Sequence, residues 1–261
     1  MKLEIRNAVL GYRRQEVLRG VNFEVSTGRT VCVIGRNGAG KTTFFKSLLG
    51  VMPLLEGEIL LDGRDIGSWS RAEFARTVAY IPQVRMLPFP FKVSDVVLFG
   101  RTAHLGVFAS PGKRDRIIAD ECLERLNISH LRERIFTQLS GGEQQLVIVA
   151  RALAQQPSFL IMDEPASSLD FGNQINLLSQ INRLKSSSLG ILMATHSPDH
   201  AFACDADVVV VQDGEVRRQD SCRTVITETL LKQVYGVEVD IKSFMDERSG
   251  KMRTMCMARE M

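Results

Sequence analysis

The run GRNGAGKTT, residues 35–43, constrains this chain more than any other stretch. It follows an apolar, strand-like TVCVIG and opens a helix-like KTTFFKSLLG that closes at Gly50, with Pro53 beyond. Strand, glycine-rich loop and helix in that order make a cradle for phosphate. Glycines at 35, 38 and 40 let main-chain amides turn inward, with Arg36, Asn37 and Ala39 between them. A helix beginning near Lys41 aims its N-terminal dipole at the same charge. Lys41 can reach β- and γ-phosphates, the Thr42 hydroxyl can ligate Mg2+, and Thr43 completes the set. The chain is expected to hold a nucleotide.

Its bulk properties set limits around that expectation. With 261 residues, 44% hydrophobic and 24% charged, the chain suits one α/β domain, alone or with a smaller lobe. A net charge of +3 is too small to argue for nucleic acid or an anionic membrane as partner. No segment approaches the roughly 18 consecutive apolar residues that span a bilayer. The opening MKLEIRNAVLGY carries Lys2, Glu4 and Arg6 and no long apolar run, so no secretory signal is expected. Work at a membrane would need attachment through other subunits. The cysteines, Cys32, Cys122, Cys204, Cys222 and Cys256, are odd in number and form no CxxC pair. Neither zinc nor a disulfide framework is expected, and the implied compartment is the reducing cytoplasm.

Short β-like pieces lead the chain: KLEIRNAVLGY, VNFEV and TVCVIG, then GEILLDG with a turn at Asp62-Gly63 and TVAYIPQ at 77–83. Between about 84 and 150 the character changes to helical. Ser94 is placed as an N-cap, and Ile118, Cys122 and Leu126 share a helical face. Strands return in SFLIMDEP, LGILMAT and ADVVVVQDGEV, the last turning at Asp213-Gly214. Ile175, Leu178, Ile181 and Leu184 are expected to form a core-packing stripe. The alternation predicts an α/β fold: a mostly parallel sheet, an N-terminal antiparallel β subdomain and an inserted helical subdomain. The domain would fill residues 1–225, with a short polar, Met-rich extension at 226–261.

A second anchor is FLIMDEP. Four apolar residues make a buried strand, and ligands gather at the carboxyl ends of strands in open α/β sheets. Asp163 at that end can hold Mg2+ through water, and Glu164 is the candidate base for the attacking water. The third anchor is LSGGEQQ, residues 139–145, followed by the helix-like LVIVARALAQQ. With the three in this order the chain resembles the ABC ATPase family from about residue 2 to 225, and the fold expected is that family's P-loop NTPase core.

The resemblance implies further roles. Ser140, Gly141, Gly142 and Glu143 would form the signature that contacts the ATP held by a second subunit, so one chain supplies two half-sites and a homodimer is required. Gln83 matches the glutamine that contacts Mg2+ and links the site to the helical lobe. Asp170, in SSLD, matches the loop that crosses the dimer interface. His196 matches the switch histidine on the γ-phosphate, and Tyr12 the aromatic that stacks on adenine. Closure of the dimer on two ATP molecules and opening after hydrolysis would move the helical lobe, which docks a transmembrane permease subunit. Residues 84–108, rich in aromatics and Met, lie where that groove is expected.

The chain departs from the family at Arg36 (often Pro or Ser), Thr42 (commonly Ser) and Ala166 (frequently Thr), and none of these removes a needed group. Arg36 would add a cation near the phosphates. The segments IPQVRMLPFPFKVSDVVLFGR and SSLDFGNQ look most like importer ATPases for iron–siderophore, haem and cobalamin, with molybdate or tungstate importers close. A substrate-binding protein is then an indirect partner, and the location is the cytoplasmic face of the cell membrane. A soluble ATPase of this family acting on DNA or ribosomes is the rival reading. Long coiled coils, zinc motifs and tandem cassettes, which would favour it, are lacking, and a net charge of +3 offers little support for the basic patch it would also need. A switch GTPase would need a guanine-reading N/T-K-x-D motif, and a catalytically dead regulator would not keep Lys41, Asp163, Glu164 and His196.

Overall fold

Five consecutive buried residues, Thr30–Ile34, make a strand covered on both faces, and the structure builds its first unit around it. The computed structural model describes residues 1–12, 15–83, 89–106, 108–185, 188–247 and 250–259, with Arg218 described by its backbone alone. The chain divides into two compact units, residues 1–66 with 190–261 and residues 67–189.

The first unit opens with β1 (Lys2–Tyr12), β2 (Gln15–Ser26), β3 (Thr30–Ile34), α1 (Lys41–Leu48), β4 (Leu54–Leu61) and β5 (Arg64–Asp65). The second contains α2 (Arg71–Thr77), β6 (Val78–Ile81), α3 (Val93–Leu98), α4 (Lys113–Arg125), α5 (Gly141–Ala154), β7 (Phe159–Asp163) and α6 (Phe171–Lys185). The chain then returns to the first unit with β8 (Gly190–Thr195), α7 (Pro198–Ala203), β9 (Asp207–Gln212), β10 (Glu215–Ser221), α8 (Cys222–Val225), α9 (Glu228–Tyr235), β11 (Val239–Asp246) and β12 (Lys251–Ala258).

In the first unit the strands run β5-β4-β1-β2-β10-β9-β3-β8. β8 and β9 flank β3 in parallel, whereas β1, β2, β4 and β5 pair antiparallel, as expected. All six residues of β8 are buried, like those of β3. On β1 and β2 burial alternates, so Leu3 and Ile5 point inward while their neighbours stay wetter. Phe23 meets Phe44 of α1 edge to face at 5.1 Å, which packs the phosphate-loop helix onto that arm.

In the second unit β6 and β7 pair in parallel, Val78 opposite Phe159 through Ile81 opposite Met162. α3 and α4 both pack on α5. Arg101 is a buried node, donating to Asp115 at 2.9 Å, Ala154 O at 2.8 Å and Gln156 Oε1 at 3.0 Å. The expected face of Ile118, Cys122 and Leu126 is buried. The expected helical insertion at 84–150 falls inside this unit, and the expected extension at 226–261 belongs to the first.

Two local expectations are corrected. Ser94 does not cap α3, which starts at Val93 after Lys92 with no side-chain cap. The amides of Val93 and Ser94 are taken by the carbonyls of Arg134 and Arg132, each at 3.0 Å, so the first turn needs no hydroxyl. On α6 the buried face is Leu177, Leu178, Ile181 and Leu184, and Ile175 is 53% exposed. A stripe at a strict spacing of three drifts around a helix of about 3.6 residues per turn, which carries position 175 off the face.

Candidate nucleotide site

Each unit carries some of the residues expected at the site. In the first, the loop after β3 runs into α1, whose N-cap Gly40 has φ 109°, a conformation that glycine adopts without strain. α1 has no side-chain cap, and a helix N-terminus of this kind favours an anion. Lys41 is buried, and its Nζ donates to Gly35 O at 2.8 Å and Arg36 O at 3.1 Å. The ammonium is therefore held by the loop's own carbonyls, acceptors that phosphate oxygens can replace. Arg36, Asn37 and Gly38 are exposed. Tyr12, at the end of β1, is 47% exposed and receives a bond from Thr43 Oγ1 at 3.5 Å. That bond ties the ring to the first turn of α1 and leaves it accessible.

His196 follows β8 and is exposed. Behind it, Thr195 Oγ1 lies 2.8 Å from His200 Nδ1 and accepts the Ser197 amide at 3.1 Å. Burial pushes the pKa of His200 down, His196 adds to the effect and Asp199 opposes it.

In the second unit Asp163 ends β7 buried, and Glu164 follows with φ 48°. A left-handed backbone at a non-glycine carboxylate costs of order 1 kcal/mol or more and concentrates at functional sites. The Glu164 carbonyl accepts from the Ser167 amide at 3.2 Å and Ser167 Oγ at 3.0 Å, which closes the turn. Gln83 Nε2 donates to Glu164 Oε2 at 3.0 Å, so two residues expected at one site meet. Tyr80, which no sequence motif singles out, hydrogen-bonds Asp163 from β6. Burial first, and then the Asp163 charge, push its phenol up to about 12. Its only trace in the sequence is its place two residues before Pro82.

The signature loop and the loop at Asp170 are built alike. Ser140 caps α5, and the Glu143 carboxylate returns to Ser140 N and Oγ, each at 2.8 Å. These bonds, the hydroxyl's first, hold Glu143 below the usual carboxylate range. Asp170 stands at the start of α6, accepting Asn173 N at 2.9 Å and Asn173 Nδ2 at 2.8 Å. Each helix then carries a glutamine four residues after its cap. Gln144 Nε2 donates to Phe136 O and Leu139 O, and Gln174 Nε2 to Ala166 O and Leu169 O. The two helices meet closely, because a Cβ built on Gly142 would land on the side-chain amide of Asn173.

Of the aromatic stretch at 84–108, residues 84–88 and 107 lie outside the described residues. Phe91 packs edge to face on Phe89 and Phe99, with centroids 5.9 and 5.1 Å apart, and Phe89 is 62% exposed. Among the described residues no helix is long and apolar enough to cross a membrane.

Residues 18–167 match the family model described as ABC transporter. An uncharacterized ABC transporter ATP-binding protein of Haemophilus influenzae is 40% identical over 241 residues, 92% of each chain. A Helicobacter pylori protein named "Probable iron chelatin transport ATP-binding protein" is 35% identical over 242 residues, 92% of this chain and 95% of that one. A solved transporter assigned to the metal-chelate type, in an inward-facing conformation, superposes with TM-score 0.85 at 29% identity, over 99% of this chain and 97% of the other. The chain belongs to the ABC transporter family. It is the ATP-binding, ATP-hydrolysing subunit, and its fold is that of the family's ATPase cassette.

Proposed function

We propose that this subunit powers an importer of a metal chelate, with iron–siderophore the favoured cargo and haem, cobalamin or an oxyanion such as molybdate the alternatives. The kinship to a protein named for iron chelatin transport and to a metal-chelate type transporter supports that choice. The working form is a homodimer at the ATP sites, attached to the cytoplasmic face of the membrane through permease subunits. The edge-to-face group of Phe89, Phe91 and Phe99 is the surface offered to a permease helix.

The contact between Gln83 and Glu164 carries the mechanism. Glu164 orients and deprotonates the attacking water, with Gln83 fixing its carboxylate. Lys41 and the amides of residues 35–43 hold the phosphates, Tyr12 stacks on the base and His196 meets the γ-phosphate. Ser140, Gly141, Gly142 and Glu143 present a helix N-terminus to the nucleotide of the second subunit, and Asp170 reaches across the interface. The Thr42 hydroxyl, the Asp163 carboxylate and the Gln83 side-chain carbonyl are hard oxygen donors, the kind magnesium takes. When bound, that ion neutralises phosphate charge.

Two measurements test the proposal. Glu164→Gln is expected to stop turnover yet keep ATP bound through desalting, because the closed dimer cannot reopen. Near-normal turnover in that variant would remove Glu164 from the mechanism. For the cargo, cells lacking this chain are expected to lose uptake of radioactive iron on a siderophore and to keep molybdate uptake; the reverse pattern would transfer the assignment to the oxyanion.

A further inference from the structure

The C-terminal hairpin, β11 with β12, is held at its base, and among the described residues Phe244 and Met245 of its far half are exposed. Ile241 and Cys256 face each other across it. Their amides point outward, to Glu228 Oε1 at 3.1 Å and Asp199 Oδ1 at 2.8 Å, carboxylates from the first turns of α9 and α7. The Arg259 amide bonds Glu238 O at 3.3 Å, which confirms that even-numbered positions of β11 face β12 and odd-numbered ones face out. Ser243 and Met245 therefore turn their main-chain polar groups to the outer edge beyond the Glu228 clamp. Phe244, Met245, Met252, Met255 and Met257 are all more than 40% exposed. An edge with this much apolar surface is a template for another strand.

We propose that β11 pairs antiparallel with β11 of a second copy of this chain, about a two-fold axis at Phe244, joining two hairpins into a four-stranded sheet. In that register Ser243 lies opposite Met245 of the partner, and the two such pairs exchange four main-chain bonds. Lys242 comes opposite Asp246 of the partner, which Arg253 of its own hairpin already holds at 2.8 Å. Phe244 meets its own copy. Charge favours this register, since an axis at Met245 gives up the pairing of Lys242 with Asp246. An axis at Lys242 sets lysine against lysine, and an axis at Ser243 sets Asp240 against Asp246; both also need the Ile241 amide that Glu228 occupies. Pairing through β12 about Arg253 opposes two arginines. The pattern is self-complementary, as a two-fold interface requires, so the occupant is the same chain. The two carboxylate clamps present the edge preformed, which lowers the ordering cost of association.

The test uses full-length protein stripped of nucleotide with EDTA present, which separates this contact from closure on ATP. Wild type is expected to sediment as a dimer at micromolar concentration. Ser243→Pro, which removes an amide serving only the outer edge, is expected to weaken the dimer at least tenfold. In a Cys256→Ser background, mild oxidation should link Phe244→Cys into a disulfide dimer, because that non-hydrogen-bonded pair brings Cα atoms within about 4.5 Å. Lys242→Cys alone should not link. A monomeric wild type, a dimer indifferent to Ser243→Pro, or equal linking at positions 242 and 244 would overturn the proposal.

Discussion

Gln83 Nε2 donates to Glu164 Oε2 at 3.0 Å, across 81 positions of sequence. One amide thereby restrains the carboxylate, and in the proposed mechanism its carbonyl serves the cation. The two groups should separate in kinetics. Glu164→Gln is expected to lower kcat by about 100-fold or more with ATP affinity kept, the usual range for losing a general base. Gln83→Ala is expected to lower kcat less and to raise the magnesium concentration needed for half-maximal rate. Steady-state ATPase assays across a magnesium titration distinguish the two.

Tyr80 supports Asp163 from behind. Tyr80→Phe keeps the ring and removes the hydroxyl, so the buried carboxylate loses a partner. Loss of an outer-shell bond of this kind costs about tenfold in metal affinity. The expected outcome is a magnesium dependence shifted by about that factor, with ATP binding in EDTA unchanged. An unshifted titration would make Tyr80 a packing residue only.

His200 predicts an acid-side loss of stability. Its pKa in the fold lies below the ordinary 6.5, burial being the main cause. Above 6.5 the imidazole is neutral both folded and unfolded, so it imposes no penalty. As pH falls through that value the unfolded chain takes up a proton that the folded chain refuses, and stability drops until the folded pKa is reached. Melting temperatures between about pH 7.5 and about pH 5.5 should fall more steeply for wild type than for His200→Gln. Equal slopes would refute this.

Gly142→Ala should destabilise the join of α5 and α6, because the new methyl displaces the Asn173 side chain from its bond to Asp170. Overpacking of this kind costs about 1–3 kcal/mol. Gly142→Ala with Asn173→Ala should recover most of the loss in a urea melt. If the double variant is no more stable than the single one, the contact with Asn173 is not the cause.

What could be read from the sequence follows from how local each signal is. The phosphate loop needs only consecutive residues, and strand, glycines and helix stand where GRNGAGKTT places them. Asp163 and Glu164 were legible because a buried strand ends at them. Tyr80 was not, since its meaning depends on β6 lying beside β7. Ser94 misled because main-chain carbonyls 38 and more residues away do the capping. The tail was hardest. Methionine fits strand and helix alike, and the clamps on Ile241 and Cys256 come from helices elsewhere in the chain.

The paired glutamines that brace the starts of α5 and α6 bear on which changes the gene can tolerate. Each gives both amide hydrogens to carbonyls, so the worst replacement is the one that looks mildest. Glutamate has the same shape, lies a single base away, and brings only acceptors to face acceptors. A lysine, bulkier but rich in donors, would be forgiven sooner. At positions 144 and 174 resemblance to glutamine is a poor guide to harm, and variant effects there should follow hydrogen supply rather than size.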